Sequence, residues 1–484
     1  MFKKQYILTN KQISTPKNWL TSNFGDFELF LDSKLDFTEY KTPTKKVVLL
    51  GYVFHATDSL FEDKLIERIA TLNHEEILDE VDLWCGHFIL FVKTDSFRIY
   101  NDACASFKVF YGEKENYKAI GSDPKILKHF LKFEEDKDSD KKKFYSSDFF
   151  RNDRTKVGHD TRFKNLYQLV ANHFLQVDNL NSERSFPRKG RTEISEVEAG
   201  EELIRIFQNI IFQIDKRYTI YTSITAGFDS RLLVSATHKI AKRISYYTFK
   251  LPNEKESFID YTIPKKIAKE LNLNYSFIYI NNIEDSEKER IEAIFDFPRI
   301  RPFQQYQNIF PEKGKPNVLL VGFVCEVAKN YLERVKVKDG KDVVRAVHFP
   351  DNKYLNKYYK KWLKKNRRTI ENNGYELLDF IHWEQDITNF AGQNTFYANH
   401  CVNLFSIFNC RKVLEVMLAV PPSKRDGKSP EFFKYLIKKM WPELLNYPFN
   451  PSWKEKVILF MKKVKVYPFY KYLQIKFHKN GEIR

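Results

Sequence analysis

The chain has 484 residues, 43% of them hydrophobic and 16% aromatic, which is too long for one ordinary core and too apolar for a disordered polymer. Its 80 Lys+Arg against 63 Asp+Glu leave a net charge of +17; that balance suits phosphate-bearing partners or simply a lysine-rich composition, and no RNP-like, helix-turn-helix or zinc-finger spacing accompanies it. Apolar runs such as VVLLGYVF at 47–54 are too short to span a bilayer. Five scattered cysteines (Cys85, Cys104, Cys325, Cys401 and Cys410) contain no CxxC pair, and the opening MFKKQYILTNKQI has no signal-peptide stretch; together they point to a reduced, cytoplasmic protein.

Residues 1–180 read mainly as strands and turns, with VVLLGYVFHA, HFILFV, SFRIYND and KVFYGE as short β-type runs. One helical interlude at 56–81 sets Leu60, Leu65, Ile66, Ile69 and Leu72 on one face, so an α+β layered domain is expected. The polar stretch NLNSERSFPRKGRTE at 179–193 lacks periodicity and predicts a linker over 181–195. Helical spacing then starts at Ser195, whose offset from Glu198 fits a capping box, and continues through Leu203, Ile204, Phe207, Ile210, Ile211 and Ile214. A strand at 217–224, a helix to about 242, a strand at 243–249, a helix around 257–271 fronted by Ser257, and a strand in NYSFIYI follow. That alternation predicts a parallel sheet with crossover helices. Beyond about 350 the pattern is mostly helical.

The segment YTSITAGFDSRLL at 221–233 turns tightly from strand into helix through Gly227 and puts Asp229 at the turn. Such a turn points free N–H groups at whatever lies above it, and an acidic side chain there works against a bare phosphate unless a divalent cation lies between. The turn T-A-G-F-D-S at 225–230 resembles the S-G-G-x-D-S pyrophosphatase loop of the asparagine synthetase-like ligases, with Thr225 for Ser and Ala226 for the first Gly. Downstream, VLLVGFVCEVAKNYLE at 318–333 carries Gly322 and then Glu326. It resembles the S-G-x-G-x-D-E segment that closes the nucleotide site in asparagine synthetase and beta-lactam synthetase. The stretches WCGHFILFVKTDSFRIYNDACASFKVFYGEKENYKAIGSDPKIL at 84–127 and VGHDTRFKNLYQLVANHFLQVD at 157–178 resemble that family's glutamine amidotransferase domain. The resemblance covers roughly 45–180 and 196–450.

It implies an Ntn-type amidotransferase-like layered domain over 1–180, then a parallel-sheet ATP pyrophosphatase domain over 196–484 with a helical C-terminal part and a basic tail. Carried over, Asp229 and Glu326 hold Mg²⁺ on ATP, Thr225, Gly227 and Ser230 cradle phosphate, and Val321 and Gly322 line the adenine or ribose end. The implied activity is an ATP-dependent amide-forming ligase. It adenylates a carboxylate with release of pyrophosphate and lets ammonia or an amine displace AMP, in a setting of cell-surface polysaccharide synthesis.

The chain also departs from the family. A glutaminase of this type needs a cysteine directly after the initiator methionine, and this chain begins Met1-Phe2-Lys3-Lys4, so no glutamine hydrolysis is expected and Cys85 reads as a small core residue. Asn450 falls where the family carries a late lysine, which leaves Lys454 and Lys428 as catalytic candidates with Lys424 and Arg425 nearby; Phe323 stands where beta-lactam synthetase has its tyrosine. The same departures suit a catalytically inactive asparagine synthetase-like binding or scaffold protein. A tRNA-modifying adenylating enzyme shares the loop, but no RNA-binding module accompanies it. His87 and His238 sit in no triad-like constellation. The tail from Lys454 alternates lysines and aromatics, as a packed terminal helix or a peripheral membrane contact would.

Overall fold

The computed structural model describes residues 4–251, 255, 258–307, 310, 314–329, 332, 335–427 and 430–451. In the first half, two six-stranded antiparallel sheets lie face to face. The strand Lys46–His55 explains why, because it is buried along nearly its whole length. With a side-chain period of two, Val48 and Leu50 enter the core between the sheets, where Leu29, Leu31, Ile89 and Phe91 meet them, while Val47, Leu49 and Val53 point the other way. That outer face is covered by the helices Glu62–Thr71 and His74–Asp82 through Leu65, Ile66, Ile69, Ile77 and Leu78. The single helical interlude is therefore two helices, divided where Asn73 makes a capping box with Glu76. The helix Pro124–Leu131 covers the far side of the other sheet, giving the layers helix, sheet, sheet, helix.

The stretch expected as a linker is partly sheet. Asn181–Arg184 pairs antiparallel with His173–Gln176 and forms the edge of the second sheet, with alternating exposure that a polar composition disguised. Only the residues after it connect to the helix Glu196–Arg217. Ser195 caps that helix through the Glu198 N–H. Ser257 lies outside the described residues, and the helix it was expected to front runs Ile259–Glu270.

The second half is built on five parallel strands in the spatial order Tyr275–Tyr279, Ser245–Lys250, Thr219–Ser223, Asn317–Leu320, Asn403–Phe405. Chain order runs outward in one direction through the first three and reverses between Thr219–Ser223 and Asn317–Leu320. In open parallel sheets that reversal leaves a crevice beyond the carboxyl ends of the two strands. The two halves share one apolar cluster in which Tyr52, Phe54 and Cys85 pack with residues of the second half. Polar ties cross the same junction: the Tyr52 hydroxyl donates to Leu404 O at 2.7 Å and the Lys108 ammonium to Thr388 O at 2.7 Å. Among the described residues no helix is long and apolar enough to cross a membrane.

Candidate nucleotide and cation site

The strand Thr219–Ser223 leads through Thr225-Ala226-Gly227 into the helix Phe228–Ala236, whose N-cap is Gly227 and which no side chain caps. Its first-turn N–H groups therefore keep the anion-binding character of an open helix N-terminus. The loop itself is closed. Thr225 N–H donates to Ser230 Oγ at 3.1 Å, the two hydroxyls meet at 2.8 Å, and Gly227 N–H donates to Thr225 Oγ1 at 3.1 Å. Ala226 N–H donates to Asp260 Oδ1 at 2.7 Å. Thr225, Gly227 and Ser230 thus satisfy one another in place of the open phosphate cradle expected of them. The Asp260 carboxylate already holds one backbone donor of the turn.

The loop is also pinned from the C-terminal side. The buried Arg231 guanidinium donates to Tyr447 O at 2.8 Å, Pro448 O at 2.6 Å and Ala226 O, and lies 3.4 Å from the centre of the Phe449 ring. Phe449 in turn stacks on Phe228 at 4.0 Å. Asn450 N–H donates to Ala226 O at 3.1 Å, so the residue standing in place of the family's lysine does reach the loop.

The second arm leaves the neighbouring strand. Val321 is buried in an apolar cluster with Tyr221 and Leu404, and Gly322 allows the two strand ends to meet. A Cβ at Gly322 would lie 2.8 Å from the Asp229 carbonyl carbon and 3.0 Å from Ser230 N, closer than any side chain tolerates. Gly322 is therefore a packing contact of the loop as well as part of the crevice. Val324 follows at φ 80°, a left-handed conformation that strains a β-branched residue. At this strained corner the chain reverses and brings Cys325 and Glu326 back over Asp229.

Asp229, Cys325 and Glu326 present ligand atoms within 4.8 Å of one another. Glu326 Oε2 is covered and accepts no hydrogen bond, a costly state for a carboxylate oxygen, while both Asp229 oxygens lie 2.7 Å from the Lys329 ammonium. Burial, with the Asp229 charge added, pushes the Glu326 carboxyl up to about 7. The Lys329 ammonium lies 2.7 Å from Asp229; burial pulls it down, yet Asp229 holds it above its ordinary value. With both acids ionised, two carboxylates against one ammonium leave the cluster one negative charge in excess. Two carboxylates that share one ammonium, with one Glu326 oxygen left over, fit a hard, oxygen-seeking divalent cation such as Mg²⁺ at this strand-end crevice. Cys325 does not join such a set: burial pushes its thiol well up, and it donates to Gly322 O at 3.2 Å.

Of the lysine candidates, Lys454 and Lys428 lie outside the described residues. Lys424 is exposed and paired with Glu431 at 2.7 Å. Arg425 is fully buried and donates to Ala328 O and to Asp379, both at 3.2 Å, so it braces the turn that carries Glu326. Cys85 is buried in the core, its thiol pushed well up by burial. His238 is structural: its Nδ1 meets Met440 O at 2.8 Å and its ring stacks on Trp441 at 4.3 Å. Reasoning from sequence missed Lys329, Asp260, Arg231 and Val324. Lys329 was the one with a local signal, since it lies one turn beyond Glu326.

No family model and no curated protein sequence matches the chain. Solved structures similar to it include glutamine phosphoribosylpyrophosphate amidotransferase from B. subtilis complexed with ADP and GMP, at 10% identity and TM-score 0.24 over 72% of each chain. A glutamine-dependent NAD+ synthetase from Acinetobacter baumannii in complex with ADP matches at 15% identity and TM-score 0.19 over 31% of this chain and 27% of that one. NMN synthetase from Francisella tularensis matches at 11% identity and TM-score 0.22 over 43% of this chain and 94% of that one. At this level of likeness none of them carries an activity over to this chain.

Proposed function

We propose that the chain is an ATP-dependent carbon–nitrogen ligase that adenylates a carboxylate and releases pyrophosphate, without glutaminase activity of its own. The observation that carries this reading is the pair of facing carboxylates, Asp229 and Glu326, whose ligand oxygens lie within 4.8 Å of each other with Glu326 Oε2 covered and unpartnered, at the point where strand order reverses. A resident Mg²⁺ would supply charge neutralisation on the leaving pyrophosphate. Asp229 and Glu326 would hold that cation, in the place that the Lys329 ammonium takes beside Asp229 in this structure. The open N-terminus of the helix Phe228–Ala236 receives phosphate oxygens, and Asp260 releases the Ala226 N–H when they bind. An oxygen of the substrate carboxylate attacks the α-phosphorus, the bond to the β-phosphate oxygen breaks, and pyrophosphate leaves as an acyl-adenylate forms. An amine or ammonia then attacks the acyl carbon, loses a proton and expels AMP.

A second reading, a binding protein on an inactive ligase fold, draws on the closed Thr225–Gly227–Ser230 ring. Carboxylate-dependent exchange of labelled pyrophosphate into MgATP separates the two. Exchange with some carboxylate, lost in Asp229→Asn, supports the ligase. Nucleotide binding with no exchange across a broad carboxylate panel supports the binding protein.

A further inference from the structure

A second site lies away from the strand-end crevice. The edge strand Asn181–Arg184, the turn around His159 and the helix Lys353–Asn372 enclose a cleft of about 660 Å³ between the two halves. That volume is in the range of pockets that hold an extended small molecule. One wall is a ridge of lysines on the helix: Lys353, Lys357, Lys361 and Lys365 recur every fourth residue, so they stand on one face with about 6 Å between neighbours. All four are exposed, and among the described residues Lys353, Lys357 and Lys361 form no ion pair. Four like charges in a row repel one another, and such a ridge is stabilised by an anionic occupant.

Under the lysines, the floor is polar and aromatic. The Tyr354 hydroxyl donates to Asp160 Oδ2 at 2.8 Å, and the Tyr358 hydroxyl meets His159 Nδ1 at 2.9 Å. Burial pushes His159 down against the opposing charge of Asp160, with Lys365, Lys141 and Lys361 adding to the shift. Asn165, Asn181 and Ser182 add further donors and acceptors, and Tyr167 is 38% exposed beside them. The lining also carries Asp136, Asp138 and Asp140, with Lys141 pairing Asp136 at 3.1 Å and Asp160 at 2.9 Å.

This mixture decides between polyanions. Single-stranded nucleic acid needs bare ring faces for stacking and a uniformly basic track. Tyr354 and Tyr358 are each only 9% exposed, and Asp138 and Asp140 interrupt the basic track, which disfavours a phosphate on every unit. A chain of hydroxyl-rich rings with separated carboxylates fits this mixed lining: hydroxyls donate to the aspartates and asparagines, carboxylates reach the lysines, and an apolar ring face covers Tyr167. We propose that this cleft binds an acidic oligosaccharide along the lysine ridge.

The test is calorimetric titration of the full chain at low salt with tetragalacturonate and a hyaluronan tetrasaccharide, beside maltotetraose and octauridylate. At least one acidic tetrasaccharide binds, maltotetraose does not, and Lys357→Ser/Lys361→Ser weakens binding by about tenfold at unchanged melting temperature. No binding of either acidic tetrasaccharide at millimolar concentration overturns the assignment. So does undiminished affinity in the double variant, or tighter binding of octauridylate than of both acidic glycans.

Discussion

Asp102 and Asp229 each follow a strand into a tight turn, one in each half of the molecule, and their surroundings are opposite. Asp102 is buried and accepts from the N–H groups of Cys104, Ser106 and Phe107, from the Ser106 hydroxyl and from the Asn409 amide. His87 completes this set by meeting Ser106 Oγ at 2.8 Å. Every lone pair is used, and Asn409 ties the turn to the second half. At Asp229 a single ammonium, that of Lys329, serves both oxygens at 2.7 Å, and the facing Glu326 Oε2 accepts nothing. A saturated buried carboxylate is a fixed joint; one left short of partners in a crevice has capacity for a ligand.

The largest effect expected from this contrast is in stability. Asp102→Ala removes the acceptor of five hydrogen bonds, leaves the buried Ser106 and Phe107 N–H groups without one and should cost about 4 kcal/mol in urea unfolding, whereas Asp229→Ala in EDTA should cost about 1 kcal/mol. Equal costs would break the comparison.

The next effect comes from pH. Burial, against the opposing charge of Asp102, pushes His87 down to about 3 from an ordinary 6.5. Its neutral form therefore contributes stability above 6.5 that is lost as pH falls towards 3, about 2 kcal/mol by pH 5. His87→Asn should flatten that slope. Glu326 has the opposite sign. Its carboxyl is pushed up to about 7 from 4.5, so in EDTA its contribution is complete below 4.5 and lost as pH rises through 7. Glu326→Gln should accordingly gain about 1.5 kcal/mol at pH 8 and nothing at pH 4. If both variants shift in the same direction, the two turns are not the different environments described here.

The smallest effect sharpens the role of Lys329. Lys329→Met removes the ammonium from Asp229 and should cost about 1 kcal/mol in EDTA, with Mg²⁺ alone restoring more stability to the variant than to the wild type. A variant indifferent to Mg²⁺ would show that no cation replaces the lysine.

The broad architecture was legible because hydrophobic period carries it. Val47 to Val53 alternate between two cores, and the runs at 219–223, 245–250 and 275–279 read as strands of a parallel sheet. The hairpin at 181–184 was missed because an edge strand buries little and so shows little apolar pattern. At the site, Asp229 and Glu326 could be picked out by their place in short motifs. Asp260 and Arg231 could not, since they act through contacts 34 and 217 positions away, and the local cue at Lys329 gains its meaning only from the turn at Val324 that brings it 2.7 Å from Asp229, 100 positions away. Nor does sequence show that Thr225 and Ser230 bond to each other, because hydroxyls suited to phosphate are equally suited to closing their own loop.

The central claim is that Asp229 and Glu326 form a cation-dependent nucleotide site. Thermal unfolding with ATP, with and without Mg²⁺, on the wild type and Asp229→Ala tests it most directly. At about 100-fold over the dissociation constant, MgATP should stabilise the wild type by about 2.7 kcal/mol, with the shift absent in EDTA and in the variant. No shift at millimolar nucleotide, or an equal shift in Asp229→Ala, would contradict the account.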